Sequence, residues 1–353
     1  MSGSSFRTFA FRLVPLGVML GAAVAGAAAG AGWAERIAPL PWLVSLVVVG
    51  LPHGAADLAV TRRIGRGSVA RMFSIYLACM MAVFALFMAA PMPLIVLFAA
   101  LSLWHFGMGH ADGQAPPIAA GFLPRARAAL VRGAPVLGVP LAVWPAETAS
   151  AILGLVGLVS SPTQFQWAQA AFATGLIQSV GQALLVIWAV ALVAEIWATR
   201  GTPGALRRSR DTCVDLAVVA ALGTVAPPLL SIGVYFLVWH AWRHLGLLSP
   251  LVAGVEPHDG ASQWRAVVRL HAAAVPLLVP TWAVILAAWW WLSPGHSARD
   301  LALLSLAVYL VVTPSHDLLV DLVRSRSDTG EQPATSPSIA PPSCAARLVC
   351  SSS

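Results

Sequence analysis

Lysine is absent from this sequence, and all 21 of its basic residues are arginine. Without lysine the protein has no side-chain amine for a Schiff base, which excludes an opsin-type pigment. Charge is scarce as well, since only 10% of the residues are charged, against about 25% in a soluble domain. The four cysteines have no paired spacing, so neither a disulfide framework nor a zinc ribbon is indicated. These scarcities exclude a cytosolic enzyme, a disordered chain and a disulfide-rich secreted module.

Long apolar segments fill the chain instead, with 58% hydrophobic residues and a mean hydropathy of +0.80. About 20 mostly apolar residues cross the hydrocarbon core of a bilayer. A window of that length predicts spans at residues 13–33, 41–60, 72–90, 94–110, 129–145, 174–198, 213–228, 231–249, 270–292 and 300–323. A shorter apolar run at 148–160 is predicted to be re-entrant or interfacial. The sequence therefore predicts an all-α, polytopic transmembrane helical bundle of about 8–10 spans, whose first segment is also compatible with a signal sequence.

Arginines set the predicted orientation. If the N-terminus is cytoplasmic, the loops on that side contain most of the arginines, whereas the opposite side keeps only Arg36 and Arg299. This asymmetry follows the positive-inside rule and predicts an inner (plasma) membrane protein with both termini in the cytoplasm. The formal charge of +7 is then an orientation signal, and no nucleic-acid partner is expected. We assign residues 1–323 to a membrane domain and the Ser/Pro-rich residues 324–353 to a disordered cytoplasmic tail.

Histidines interrupt several of the predicted spans. Ionisable groups inside a span are expensive and usually face a partner or a cavity. Five histidines lie within predicted spans near other unusual residues, and they are His53, His105, His240, His244 and His316. Their spans run in the same direction in the predicted topology, and each histidine lies in the cytoplasmic half of its span. Because histidines from separate helices fall at a similar depth, we predict a single site in the bundle interior.

His240 and His244 are four residues apart on one predicted helix, so both rings project from the same face about 6 Å apart. Neutral imidazoles at this spacing can bind one metal. His53 and His105 add two further nitrogens, and imidazole suits iron, copper and zinc. Four nitrogens would close a structural zinc site, whereas iron can keep a position open for dioxygen. The pattern thus predicts a histidine metal site between the helices.

Polar residues near the histidines have less specific signals. Asp57 lies four residues after His53 and can accept a ring N–H from that histidine or from a neighbour. His316 can hydrogen-bond Asp57 or a substrate, and we group the adjacent Asp317 with it. For any one histidine taken alone, an interhelical hydrogen bond is an equally good interpretation.

Aromatic and small residues border the same positions. Tyr235 and Trp239 flank the histidine pair and can line a pocket for a flat polyene, although core packing explains them equally well. Gly54 and Gly107, each close to a predicted ligand, leave room for a bulky substrate or for a closely packed helix.

The same residues carry a resemblance to a known family. The motifs, in chain order, are Pro52-His53-Gly54-x-x-Asp57, His105-Phe106-Gly107, His240-x-x-x-His244 and Pro314-x-His316-Asp317-Leu318-Leu319-Val320-Asp321. Together they resemble the Brp/Blh (bacterio-opsin-related) family of membrane carotenoid-cleaving oxygenases. The resemblance implies cleavage of β-carotene by O2 at its central 15,15′ double bond to give two molecules of all-trans-retinal. It also implies a Fe(2+) cofactor held by four ligands, a lipid-side entrance and a functional link to a retinal-binding opsin. Carried over by position, the ligands are His53, His105, His240 and His244.

Other functions stay open on the sequence alone. A membrane di-iron desaturase or hydroxylase also gathers histidines, but it needs an adjacent histidine pair, which this sequence lacks. A zinc metalloprotease needs the HExxH motif, and the sequence from His240 to His244 has no glutamate. A carotenoid- or retinal-binding membrane protein that serves an opsin without catalysis is the alternative outside the enzymes, and a bis-histidine cytochrome is another.

Overall fold

The computed structural model describes residues 8–64, 69–111, 121–254, 259–293 and 295–328. Within these ranges the chain forms helices joined by short connections and contains no β-strand, which confirms the all-α prediction. The last helix continues to Asp328, and the part of the predicted tail beyond it lies outside the described residues.

The first part of the chain supplies the helices that carry His53 and His105. In order, the elements are π1 (Phe9–Leu13), α1 (Val14–Ala29), α2 (Ala31–Ile37), α3 (Leu40–Val44), π2 (Ser45–Val49), α4 (Gly50–Ala55), α5 (Asp57–Ile64), α6 (Val69–Ala89) and α7 (Pro91–Ala111). The segments π1 and π2 are π-helical turns, and π2 leads directly into the short helix that contains His53.

The second part supplies the remaining histidines. Its elements are α8 (Phe122–Val143), α9 (Pro145–Gly157), α10 (Pro162–Ala173), α11 (Leu176–Thr199), α12 (Ala205–Val225), α13 (Pro228–Val234), π3 (Tyr235–Ala241), α14 (Trp242–Ala253), α15 (Gly260–Leu292) and α16 (Ala298–Asp328). The predicted re-entrant run at 148–160 forms most of α9, which is 13 residues long and too short to cross a bilayer.

Eight helices of the described chain are long and apolar enough to cross a membrane, at the lower end of the predicted range. They are Phe9–Ala29, Ala31–Ala55, Ala70–Ala89, Pro91–Gly109, Phe122–Val143, Leu176–Thr199, Gly260–Leu292 and Ala298–Leu319. The predicted spans at 213–228 and 231–249 do form helices, but neither qualifies. The helix α12 begins with a cluster of arginines, and the polar His240, Arg243 and His244 lower the hydropathy of the segment around π3.

Two glycines bring α7 and α8 into backbone contact. A Cβ atom at Gly107 would lie 2.1 Å from the Ala129 carbonyl oxygen, and one at Gly133 would lie 2.0 Å from the Leu103 carbonyl oxygen. Only hydrogen fits at either position, so the helices approach more closely than side chains normally allow. This contact fixes the part of α7 that carries His105.

Side chains of α15 support the π2 turn ahead of His53. A π-helical turn does not pair all of its carbonyl groups in the α-helical pattern. The Trp282 indole donates to the Leu46 carbonyl at 2.9 Å, and His271 Nε2 lies 2.6 Å from the Val48 carbonyl oxygen. Sequence reasoning assigned no role to His271, which the structure places in this supporting contact.

Ion pairs hold the N-terminal helix against α12. Arg12 lies 3.1 Å from the Asp215 carboxylate and 3.5 Å from that of Asp211. Between α8 and α11, Arg127 pairs with Glu195 at 2.7 Å. Acidic groups near the ends of the helices, of which Asp215 is buried, are thus neutralised by arginines of a neighbouring helix.

Candidate functional site

The five histidines of the predicted spans meet in the bundle interior. They come from α4, α7, π3, α14 and α16, and each ring is at most 8% exposed. The histidines are His53, His105, His240, His244 and His316. The convergence of these residues is what their common depth in the predicted topology implies, whereas their role as metal ligands stays a prediction.

The rings form a compact group around His244. Its centroid lies 5.5 Å from those of His53 and His316, 5.7 Å from His240 and 6.0 Å from His105. The other four form a closed ring, with separations of 5.9 Å for His53–His240, 4.5 Å for His240–His105, 5.3 Å for His105–His316 and 5.2 Å for His316–His53. Each member of that ring therefore contacts two neighbours as well as His244.

The nitrogen atoms approach at metal-site distances in one pair. The Nε2 atoms of His105 and His240 are 2.9 Å apart. Two nitrogens bound to one metal at right angles, each at about 2.1 Å, are separated by about 3 Å. Across the described residues, however, no three His, Cys, Asp or Glu side chains already surround a common point at metal-binding distance. The structure thus supplies a dense set of imidazole donors.

Carboxylates hold two of the rings through their Nδ1 atoms. His316 Nδ1 lies 2.8 Å from Asp57 Oδ2, and the Tyr76 hydroxyl donates to the same carboxylate oxygen at 3.0 Å. On the other side of the cluster, His105 Nδ1 contacts the Asp317 carboxylate directly. Asp57 is therefore a histidine partner, as predicted, and the partner is His316.

A backbone carbonyl holds a third ring. His53 Nδ1 lies 3.2 Å from the Val49 carbonyl oxygen, at the end of the supported π2 turn. A histidine that binds a metal through one nitrogen typically donates its other N–H to a carboxylate or a carbonyl. Three rings of the cluster have this arrangement, so their orientations are set before any ligand binds.

Sequence reasoning missed Tyr76. Its signal was present, because it is one of only three tyrosines in the chain and lies within a predicted span. A polar hydroxyl inside a span has to find a partner, and in the structure that partner is Asp57. The partner of Asp317, by contrast, had no signal in the sequence, since His105 lies 212 positions earlier.

An apolar cavity of about 440 Å³ adjoins the cluster. Along α7 its lining residues run from Ile95 to His105 and Phe106, and along α16 they run from Leu306 to His316. Ten residues of α-helix rise about 15 Å. The histidines therefore lie at one end of a cavity that extends about 15 Å away from them.

Aromatic rings continue from the histidines along the cavity wall. Phe236 stacks on His240 with ring centroids 5.7 Å apart and contacts Tyr309 at 4.9 Å and Trp42 at 5.7 Å. These three aromatic residues all line the cavity. Flat rings in such a row suit a long conjugated molecule, which stacks on them without needing polar partners.

Tyr235 and Trp239 do not line this cavity. Both are 1% exposed and pack in the core, where Tyr235 contacts Phe106 at 5.3 Å and Arg243 lies over the Trp239 ring at 4.4 Å. The lining residue is Phe236, four positions before His240, and a spacing of four keeps it on the same helix stripe as the histidine pair. That spacing was the signal in the sequence. For Tyr235 and Trp239 the structure shows core packing, which is the alternative that the sequence left open.

Comparison with known proteins decides the family. The model of the β-carotene 15,15′-dioxygenase family matches residues 44–324, most of the chain. The protein belongs to that family. The matched range contains every histidine of the cluster, both carboxylates that hold the rings, and most of the cavity wall.

Curated relatives of this dioxygenase family agree over a similar extent. A probable β-carotene 15,15′-dioxygenase Blh of Halobacterium salinarum is 29% identical over 312 residues, which cover 81% of this chain and 83% of the relative. A β-carotene 15,15′-dioxygenase of an uncultured marine bacterium, 66A03, is 22% identical over 289 residues, which cover 80% of this chain and 92% of the relative. No solved structure matches the chain.

Proposed function

We propose that this member of the β-carotene 15,15′-dioxygenase family cleaves β-carotene with O2 at the central double bond and releases two molecules of retinal. The observation that carries the proposal is the position of the buried histidine cluster at the end of a long apolar cavity. If one end of a carotenoid reaches the far end of the cavity, the bond next to the histidines is about 15 Å from that end, which is well inside the polyene.

Ferrous iron is the cofactor in this proposal, with His53, His105, His240 and His244 as its ligands. Its support is the donor set, because several buried imidazoles lie in mutual contact and three have the Nδ1 partners typical of metal ligands. When bound, iron supplies the redox chemistry that activates dioxygen toward a carbon–carbon double bond. The chain itself fixes the donors, excludes water and orients the substrate.

The cavity wall orients the polyene. Phe236, Tyr309 and Trp42 offer ring faces along its length, and aliphatic side chains make up much of the rest of the wall. Phe73 and Leu77 of α6 also line the cavity, and they are 41% and 46% exposed. We place the entrance for the lipid-dissolved substrate at this side, because these apolar side chains of α6 are exposed on the outside of the bundle as well as lining the cavity.

The cellular setting completes the proposal. The arginine distribution supports an inner-membrane protein with both termini in the cytoplasm and with the histidine cluster nearer that side. An opsin that binds retinal is the natural consumer of the product. Residues 1–323 form the membrane domain in this arrangement, followed by the cytoplasmic tail.

Expression in a bacterium that accumulates β-carotene tests the function. We expect the orange colour to fade and retinal to appear in chromatographed extracts, in proportion to the amount of protein. Bleaching should require air, since O2 is a substrate. A non-catalytic carrier would leave the carotenoid intact, a cytochrome would show a Soret band, and a desaturase would alter the lipids, so each of these results would contradict the proposal.

Replacing Asp57 with Asn should lower activity by about 10–100-fold, because the amide cannot hold the His316 ring in the cluster as the carboxylate does. Tyr76→Phe is the matched variant, since it keeps the carboxylate and removes only the second bond to it. Its loss should be smaller. Retinal formation and metal content of the purified proteins measure both effects, and unchanged values for Asp57→Asn would reduce Asp57 to a packing role.

Filling the cavity should block the substrate without disturbing the histidines. Ala99 lines the cavity on α7, whereas its neighbour Ala100 does not. We expect Ala99→Trp to lose at least about tenfold in β-carotene cleavage, since a bulky ring replaces substrate volume. Ala100→Trp should keep its activity, and both variants should keep the metal content of the parent protein. Normal cleavage by Ala99→Trp would show that the substrate binds elsewhere.

A further inference from the structure

We infer that His316 is a fifth nitrogen donor of the histidine cluster, an assignment that rests on the proposed function in so far as it assumes the metal. Sequence reasoning grouped His316 with the residues that contact a ligand or the substrate. Its placement in the structure is that of a ligand.

The position of His316 cannot be told apart from that of the four predicted ligands. It is 4% exposed, and its ring centroid lies 5.2 Å from His53, 5.3 Å from His105 and 5.5 Å from His244. The predicted ligands that contact one another do so at 4.5–6.0 Å. His316 also closes the ring of four around His244, since it contacts both His53 and His105.

The hydrogen bonds of His316 set its tautomer. Asp57 Oδ2 accepts from the Tyr76 hydroxyl at 3.0 Å, which identifies the carboxylate as an acceptor. His316 Nδ1, 2.8 Å from the same oxygen, is therefore the donor of its bond. In a neutral imidazole with its proton on Nδ1, Nε2 has the lone pair that a metal requires.

The placement of His316 on α16 is a second reason to regard it as a donor. Consecutive residues of an α-helix point about 100° apart. On α16, His316 contributes its ring to the cluster and the next residue, Asp317, contacts His105 Nδ1. One turn of helix thus supplies a donor and the carboxylate that orients another donor. A residue present only to touch substrate would not need a carboxylate of its own, held in turn by a tyrosine.

Metal binding by the purified full-length protein tests the inference. We would load it with Co(II) as well as iron, because the visible spectrum of Co(II) reports the number and type of its ligands. The variants are His316→Ala and His316→Gln, with His296→Ala as a histidine control outside the cluster. Loss of a partner that merely orients a ligand costs about 10–100-fold in metal affinity, so loss of a donor should cost at least as much. The Co(II) spectrum of both His316 variants should change, and that of His296→Ala should not.

Chemical rescue separates a donor from a structural residue. In His316→Gly, imidazole added from solution should restore the parent Co(II) spectrum and part of the affinity, since it replaces the missing ring. The inference is overturned if the His316 variants bind Co(II) with the parent spectrum, or if imidazole leaves the spectrum of His316→Gly unchanged. The proposed function fails separately, and visibly, if the parent protein binds no metal or forms no retinal.

Discussion

Replacing either His240 or His244 with alanine is expected to abolish metal binding and, with it, β-carotene cleavage. The two rings lie on one stripe of the π3–α14 segment, 5.7 Å apart and nearly parallel. His244 contacts every other ring of the cluster, and His240 Nε2 lies 2.9 Å from His105 Nε2. Removing either therefore takes an assigned donor out of the cluster.

The measurements are the iron content of purified protein and retinal formed in a carotenoid-producing host. A loss of both by at least about 100-fold is expected, since a ligand should count for more than the groups that orient it. His296→Ala again serves as the control, because His296 lies in the connection before α16, away from the cluster. Normal turnover by either cluster variant would refute the assigned ligands.

Gly107→Ala should unfold or displace the α7–α8 pair, and it is the second large effect expected. The new methyl group would lie 2.1 Å from the Ala129 carbonyl oxygen and 2.6 Å from its Cα, and backbone atoms cannot rotate aside. Overpacking of this kind costs about 1–3 kcal/mol, and more where the obstacle is backbone. Because His105 lies two residues earlier on the same helix, activity should fall together with the yield of folded protein.

Gly54→Ala is the matched control. Gly54 follows His53 directly, yet the nearest atom to its added Cβ is Val312 Cγ1 at 4.0 Å. The same substitution should therefore leave folding unchanged. Yield after detergent extraction, thermal unfolding and retinal formation compare the two variants. If Gly107→Ala were as stable and active as Gly54→Ala, the close approach of α7 to α8 would not be what positions His105.

The two glycines also show what the sequence resolved and what it did not. It predicted that each would leave room for either a substrate or a close helix. The structure assigns the close helix to Gly107 and the open space to Gly54, which lines the cavity. The choice depends on which neighbour faces the glycine, and that information lies in residues distant in sequence.

The fold was largely predictable because hydropathy reports each apolar helix locally. The two predicted spans that do not qualify lie between residues 205 and 253, where helices α12 and α13–π3–α14 carry more polar residues than a typical span. Around π3 the polar residues include His240 and His244 of the site. In α12 they include Asp215, which pairs with Arg12. Segments that carry function or buried ion pairs are the ones that a hydropathy window judges least well.

The meeting of the histidines was predictable from topology, because the position of a residue within its predicted span gives its depth in the membrane. The rotation of each helix about its axis, which decides the residues that face a neighbouring helix, cannot be read from span positions in the same way. The π-helical turns before His53 and around His240 change the residue count per turn, so the facing residue differs from the α-helical expectation. Pairings such as His105 with Asp317 need that rotation and the full packing of the bundle.

The composition of the cavity wall has a consequence for what happens after cleavage. Retinal is an aldehyde, and an aldehyde held near a primary amine condenses with it and stays covalently attached. The wall consists of aliphatic, aromatic, hydroxyl and imidazole side chains, and the chain contributes no lysine anywhere. The products therefore meet no side-chain amine on their way out, and the protein that makes retinal cannot capture it as an imine.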